Sequence, residues 1–137
     1  MGFRKLAWCA LAAGAVAAGA SAHAQDARPL AGTWVGDVAE TLDGETTRYR
    51  MYVTIDVDRR GVPVAAAHYS LECTGIWTGA RQQGGAWRFE ETITSGRSKC
   101  ASHADGELVP EGDTLRVRLH PVGYPDQVAQ AVLRRVP

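Results

Sequence analysis

The groups in this chain with the right chemistry for catalysis are few and scattered. His68, His103 and His120 lie far apart, and none has ligand spacing to another or to a carboxylate, whereas protein zinc sites draw paired ligands from a few residues apart. No metal centre is expected, and no cofactor. Ser70, Ser95, Ser98 and Ser102 all lack the Gly-x-Ser-x-Gly turn that exposes a hydrolytic nucleophile. Glu90 and Glu91 have the residue type for acid and base roles in glycoside cleavage. Successive strand residues point to opposite faces, however, so the two cannot flank one bond. The expectation is a protein that is not an enzyme.

Two features remain as candidates for binding. Glu91 shares the alternation of Trp87, Phe89 and Ile93, which sets a carboxylate among inward apolar residues. A buried carboxylate needs a partner, either one of the chain's many arginines or a ligand gripped inside the fold. The second candidate is the basic turn Ser95, Gly96, Arg97, Ser98 and Lys99, which ends at Cys100. A loop held in place loses less entropy on docking, and its charge calls for an acidic partner surface.

The elements that must position these groups are strands. Tyr49, Met51, Val53, Ile55 and Val57 alternate with polar residues, as in a half-buried strand. The same period recurs at Trp87, Phe89 and Ile93 and at Leu115, Val117 and Leu119. Shorter stretches near Trp34 to Val38, Val64 to Leu71, Gly75 to Thr78, Gly106 to Val109 and Val128 to Val136 bring the total to about eight. Turn-forming clusters separate them, among them Asp43-Gly44, Arg60-Gly61, Gly84-Gly85, Gly112-Asp113 and Val122-Gly123. The pattern predicts an all-β antiparallel meander, which avoids open edges by closing into a small up-and-down barrel; the alternative is a two-sheet sandwich.

The N-terminus reads as a secretory signal peptide over residues 1–24. Arg4 and Lys5 precede an uncharged run from Leu6 to Ala20, and Ala22-His23-Ala24 sets the cleavage point between Ala24 and Gln25. The run is 15 residues long, short of the roughly 20 needed to span a bilayer, so no stable membrane insertion is expected. Cys9 lies inside the run after the bulky Trp8, not at a lipidation position.

Removing 24 of the 137 residues leaves 113, a single domain from 25 to 137. Two of the 15 basic residues go with the leader, leaving 13 against 15 acidic ones and a net charge of −2. So balanced a chain has no field to gather nucleic acid. Cys73 and Cys100 are the two cysteines left, and in an oxidising periplasmic or extracellular compartment they are expected to form one disulfide.

Three resemblances follow from short motifs. Gly32-Thr33-Trp34 near the start of the domain and Arg134-Arg135 near its end resemble the calycin pattern of lipocalins and avidins, which implies a barrel whose base is plugged by a Trp under a late Arg. Tyr69-Ser70-Leu71-x-Cys73-x-Gly75, followed by Phe89-x-Glu91-x-Ile93-Thr94-x-Gly96-x-x-x-Cys100, is similar to a small extracytoplasmic domain found alone or behind some bacterial serine/threonine kinases. It implies the same disulfide and a β-rich fold. Ser95-Gly96 resembles the start of the Ser-Gly-x-x-Tyr loop of periplasmic lysozyme inhibitors, with Lys99 in place of the Tyr.

The expected function is that of a non-catalytic exported binding protein, with a small ligand or cell-envelope component in the barrel mouth against Trp34, Trp77, Trp87 and Glu91. The competing expectation is an inhibitor of lysozyme or another hydrolase acting through Ser95 to Lys99.

Overall fold

The structure is a computed structural model and describes residues 25–137; the leader and its cleavage point lie outside the described residues. A short 3-10 turn, Arg28–Leu30, leads into eight strands: β1 (Gly32–Leu42), β2 (Glu45–Val57), β3 (Pro63–Tyr69), β4 (Cys73–Gln83), β5 (Ala86–Ser95), β6 (His103–Glu111), β7 (Thr114–Pro121) and β8 (Val128–Arg135). Each pairs antiparallel with the next, and β8 returns to β1, giving a closed up-and-down barrel. The sandwich alternative is thereby excluded. Closure leaves the barrel without an edge strand among the described residues, although the first half of β2 and the end of β4 run beyond the shorter β3.

Alternation decides which side of each strand is buried. On β2 Met51, Val53 and Ile55 are buried while Arg50, Tyr52, Thr54 and Asp56 are exposed. On β7 Leu115, Val117 and Leu119 point inward between Arg116, Arg118 and His120. The apolar side of this barrel is therefore its interior.

The period breaks on β4, where a register shift lies between Thr78 and Arg81. Cys73, Gly75 and Trp77 are buried before it, whereas Ala80 and Gln82 turn inward after it. One extra residue has swapped the two faces, as a bulge does.

The filling is not uniform along the axis. Toward the end where β1 starts, the interior holds Trp34, Trp87, Leu108, Leu115 and Leu133. Toward the other end Gly75, Ala104 and Ala129 occupy inward positions. Gly106 is small for a local reason: a Cβ there would stand 2.1 Å from the Phe89 ring, which is stacked on Trp77 with centroids 4.2 Å apart.

The large-residue end is closed by the 3-10 turn. Trp34, 3% exposed, donates its indole N–H to the Leu30 carbonyl at 2.9 Å. Arg135 lies 4.2 Å over the same ring and donates at 2.6 Å to the carbonyls of Ala31 and Pro29. One stacked pair thus fastens the first strand, the last strand and the turn below them.

Candidate functional site

At the opposite end the barrel opens into a cavity of about 350 Å³. Its inner wall includes Glu40, Tyr49, Tyr69, Glu91, Ile93, Ala104, Leu119 and Ala129, and its rim includes Arg97, Ser98, Lys99, Tyr124 and Gln127. The small inward residues of β6 and β8 leave this space because nothing bulkier fills the tapering interior.

Glu91, 5% exposed, is the most buried charged group among the described residues. Of the two partners expected for it, an arginine or a ligand, the first is not among its hydrogen-bond partners, and the structure supplies neutral protein donors. Oε2 accepts hydrogen bonds from the Tyr69 hydroxyl and, at 2.6 Å, from the Trp77 indole N–H. Among the described residues, both hydrogen bonds of this carboxylate fall on Oε2. The side chain lies over Gly75, where a Cβ would come within 3.0 Å of it. Neighbouring Glu90 is exposed.

A second carboxylate completes the inner wall. Glu40 Oε2 accepts from the Tyr49 hydroxyl at 2.6 Å, and its Oε1 accepts from Gln127 Nε2. The two phenol rings meet edge to face with centroids 6.0 Å apart. Burial, reinforced by the adjacent carboxylates, pushes both phenols well above their ordinary range. Burial also lifts the Glu91 carboxyl, and the bonds from Tyr69 and Trp77 offset part of that rise.

This shift has a measurable sign. Free glutamate titrates at ~4.3, and burial raises folded Glu91 above its ordinary value. Between those two values the folded chain holds more protons than the unfolded one, so stability falls as pH rises through the window and levels off above it. Glu91→Gln keeps an oxygen to accept from Tyr69 and Trp77 and removes the titration. Urea midpoints of the two proteins are expected to diverge as pH rises from 4, with the variant gaining relative to wild type. A difference that stays constant with pH would refute this.

The basic segment forms one side of the mouth rather than a free hairpin turn. Residues 96–102 connect β5 to β6 and are fastened to the β3–β4 turn in three ways. The disulfide Cys73–Cys100 joins them, with Cα atoms 6.4 Å apart. Lys99 is ion-paired with Glu72. Gly96, at φ 70°, packs so closely that a Cβ would stand 2.2 Å from the Glu72 carbonyl oxygen, a conformation and a spacing that only glycine meets without strain. Arg97 Nε donates to the Ile93 carbonyl at 3.2 Å, and its two Nη atoms have no protein partner among the described residues.

The tryptophans expected as ligand contacts do not line this cavity. Trp34 is in the base plug, where it borders an open recess of about 520 Å³ with Pro29, Pro110 and Arg135, and Trp77 and Trp87 flank a hole of about 10 Å³, enough for no more than a water molecule. Trp77 reaches the cavity only through Glu91. Among the described residues no three His, Cys, Asp or Glu side chains stand together as a metal site, and no helix is long and apolar enough to cross a membrane. Sequence reasoning missed Glu40, Tyr49, Tyr69 and Gln127 as lining residues. The available signal was the run of Gly and Ala at inward positions of β4, β6 and β8, too small to fill a barrel.

Comparison with known proteins finds no matching family model, no matching curated protein and no matching solved structure.

Proposed function

We propose that this is an exported, non-catalytic binding protein that holds a small ligand in the open mouth of its barrel. The observation that carries the reading is the 350 Å³ cavity, floored by a buried carboxylate and walled by a cross-linked loop, while the other end is plugged. That volume lies at the lower end of the range for small-molecule sites. The cavity's phenols are tied to carboxylates and held protonated, which leaves neither as a nucleophile or base and supports binding over catalysis. The Cys73–Cys100 bridge and the leader pattern support an oxidising compartment. The Trp34–Arg135 stack has the geometry that the calycin resemblance implies.

A fragment screen by NMR on the purified chain tests this reading. Hits are expected to shift resonances of Ala104, Leu119 and Ala129, and Ala129→Phe, which fills the cavity, is expected to abolish them. Shifts confined to the barrel's outer face, or none from any fragment, would overturn it.

One observation favours the inhibitor reading as a second choice: Arg97 and Ser98 are exposed on a loop anchored at both ends. Lys99, already paired with Glu72, weakens it. Inhibition of a lysozyme panel that is lost in Arg97→Ala would support it, and no inhibition would remove it.

A further inference from the structure

The ligand's chemical class follows from which hydrogen-bonding groups of the cavity are already taken. Every donor of the inner wall is spent on a carboxylate: the Tyr49 hydroxyl on Glu40, and the Tyr69 hydroxyl and Trp77 indole on Glu91; Gln127 on the rim gives one of its two amide N–H groups to Glu40. What remains open on the inner wall is acceptor: Glu91 Oε1 and the second lone pairs of the two phenol oxygens. Two carboxylates face this space, and no cation lies on the inner wall among the lining residues. Buried charge without an opposite charge is costly. The rim is the reverse, because Arg97 offers its Nη donors there.

Resting on the small-ligand reading above, we propose that the cavity takes a compact molecule by a protonated amine, directed at Glu91 Oε1, with any anionic group of that molecule left at the rim against Arg97. An anion entering head-first would pass the rim donors and then face two carboxylates, with no free donor on the inner wall. A neutral ligand would leave the carboxylates uncompensated. A cationic N–H group supplies both the missing donors and the missing charge, and a charge-assisted bond to a carboxylate as buried as Glu91 is stronger than one between neutral groups.

Four probes of similar size test the polarity. Phenethylamine is the cation, 2-phenylethanol the neutral analogue, 3-phenylpropionate the anion, and 4-(2-aminoethyl)benzoate a cation with a carboxylate at its far end. Binding to the purified chain is followed through the Trp77 indole N–H resonance, whose acceptor is Glu91 Oε2. Phenethylamine is expected to bind at least tenfold more tightly than the alcohol or the anion, and 4-(2-aminoethyl)benzoate more tightly still. Glu91→Gln is expected to erase the preference for the cation, and Arg97→Ala to erase only the gain from the far carboxylate.

Equal affinities across the first three probes, a preference for the anion, or a cation preference that survives in Glu91→Gln would each overturn the proposal. The wild-type probe series decides the polarity even if a variant fails to fold. Alcohol or anion binding that perturbs Ala104 and Ala129 and is as tight as that of phenethylamine would sink this proposal while leaving the small-ligand reading intact. No binding by any of the four at millimolar concentration would overturn it as well, and the fragment screen separately decides the broader reading.

Discussion

Trp34→Ala is expected to destabilise the barrel by about 3–5 kcal/mol, the usual cost of truncating a buried tryptophan. The ring is almost wholly buried, so its removal opens a large void at the end of the barrel that its bulky side chains fill. It also leaves the Leu30 carbonyl without its donor and Arg135 without the face it covers. Arg135 in turn holds the carbonyls of Pro29 and Ala31, so the turn below the barrel loosens as well. Trp34→Phe separates these contributions: it keeps an apolar ring under Arg135 and loses the indole hydrogen bond, with a smaller expected cost of about 1–2 kcal/mol. Urea unfolding of the three proteins makes the measurement. A loss below about 1 kcal/mol for the alanine variant would show that the base is not a structural plug.

The double variant Cys73→Ala/Cys100→Ala is expected to lose about 3.5 kcal/mol, the loop-closure contribution for cysteines 27 residues apart. Removing both sulfurs avoids a free thiol in the buried position of Cys73. For a domain of this size the loss corresponds to a fall of roughly 15 °C in melting temperature. The second effect is local. Without the bridge, residues 96–102 are held to the β3–β4 turn by packing at Gly96 and by the exposed Lys99–Glu72 pair, and exposed pairs contribute only ~0–1 kcal/mol. Amide exchange is therefore expected to accelerate across the loop at temperatures where the strands remain protected. A melting temperature within 3 °C of wild type would refute the stability estimate.

The strands that were legible in the sequence are those with an unbroken two-residue period. β2, β5 and β7 show it plainly, and their inward residues follow from it. β4 was legible only as Gly75 to Thr78, because the bulge after Thr78 swaps the faces and destroys the alternation beyond it. β1 looked shorter than it is because its inward positions include Gly36 and Glu40, which do not register as apolar. The inward direction of Glu91 was visible in its own strand. Its partners were not, since Tyr69 and Trp77 lie on β3 and β4 and reach it only through barrel registration. The basic loop was visible as a segment, whereas its attachment to Glu72 depends on the β3–β4 turn lying beside it in space.

Seven of the eight strand pairings join neighbours in sequence, and only β1 with β8 joins the two ends of the barrel sheet. Closing a loop costs more entropy as it lengthens, so the hairpins pay little and the seam between first and last strands pays most. The ring is therefore completed late, when Val128–Arg135 slots against Gly32–Leu42. Until then β1 and β8 present bare edges, the surfaces on which unfinished sheets join one another. A chain shortened before Val128 would keep two bare edges, β1 and β7, permanently, and its fate would be self-association rather than a smaller barrel. The C-terminal eight residues of the sheet thus govern solubility as much as stability.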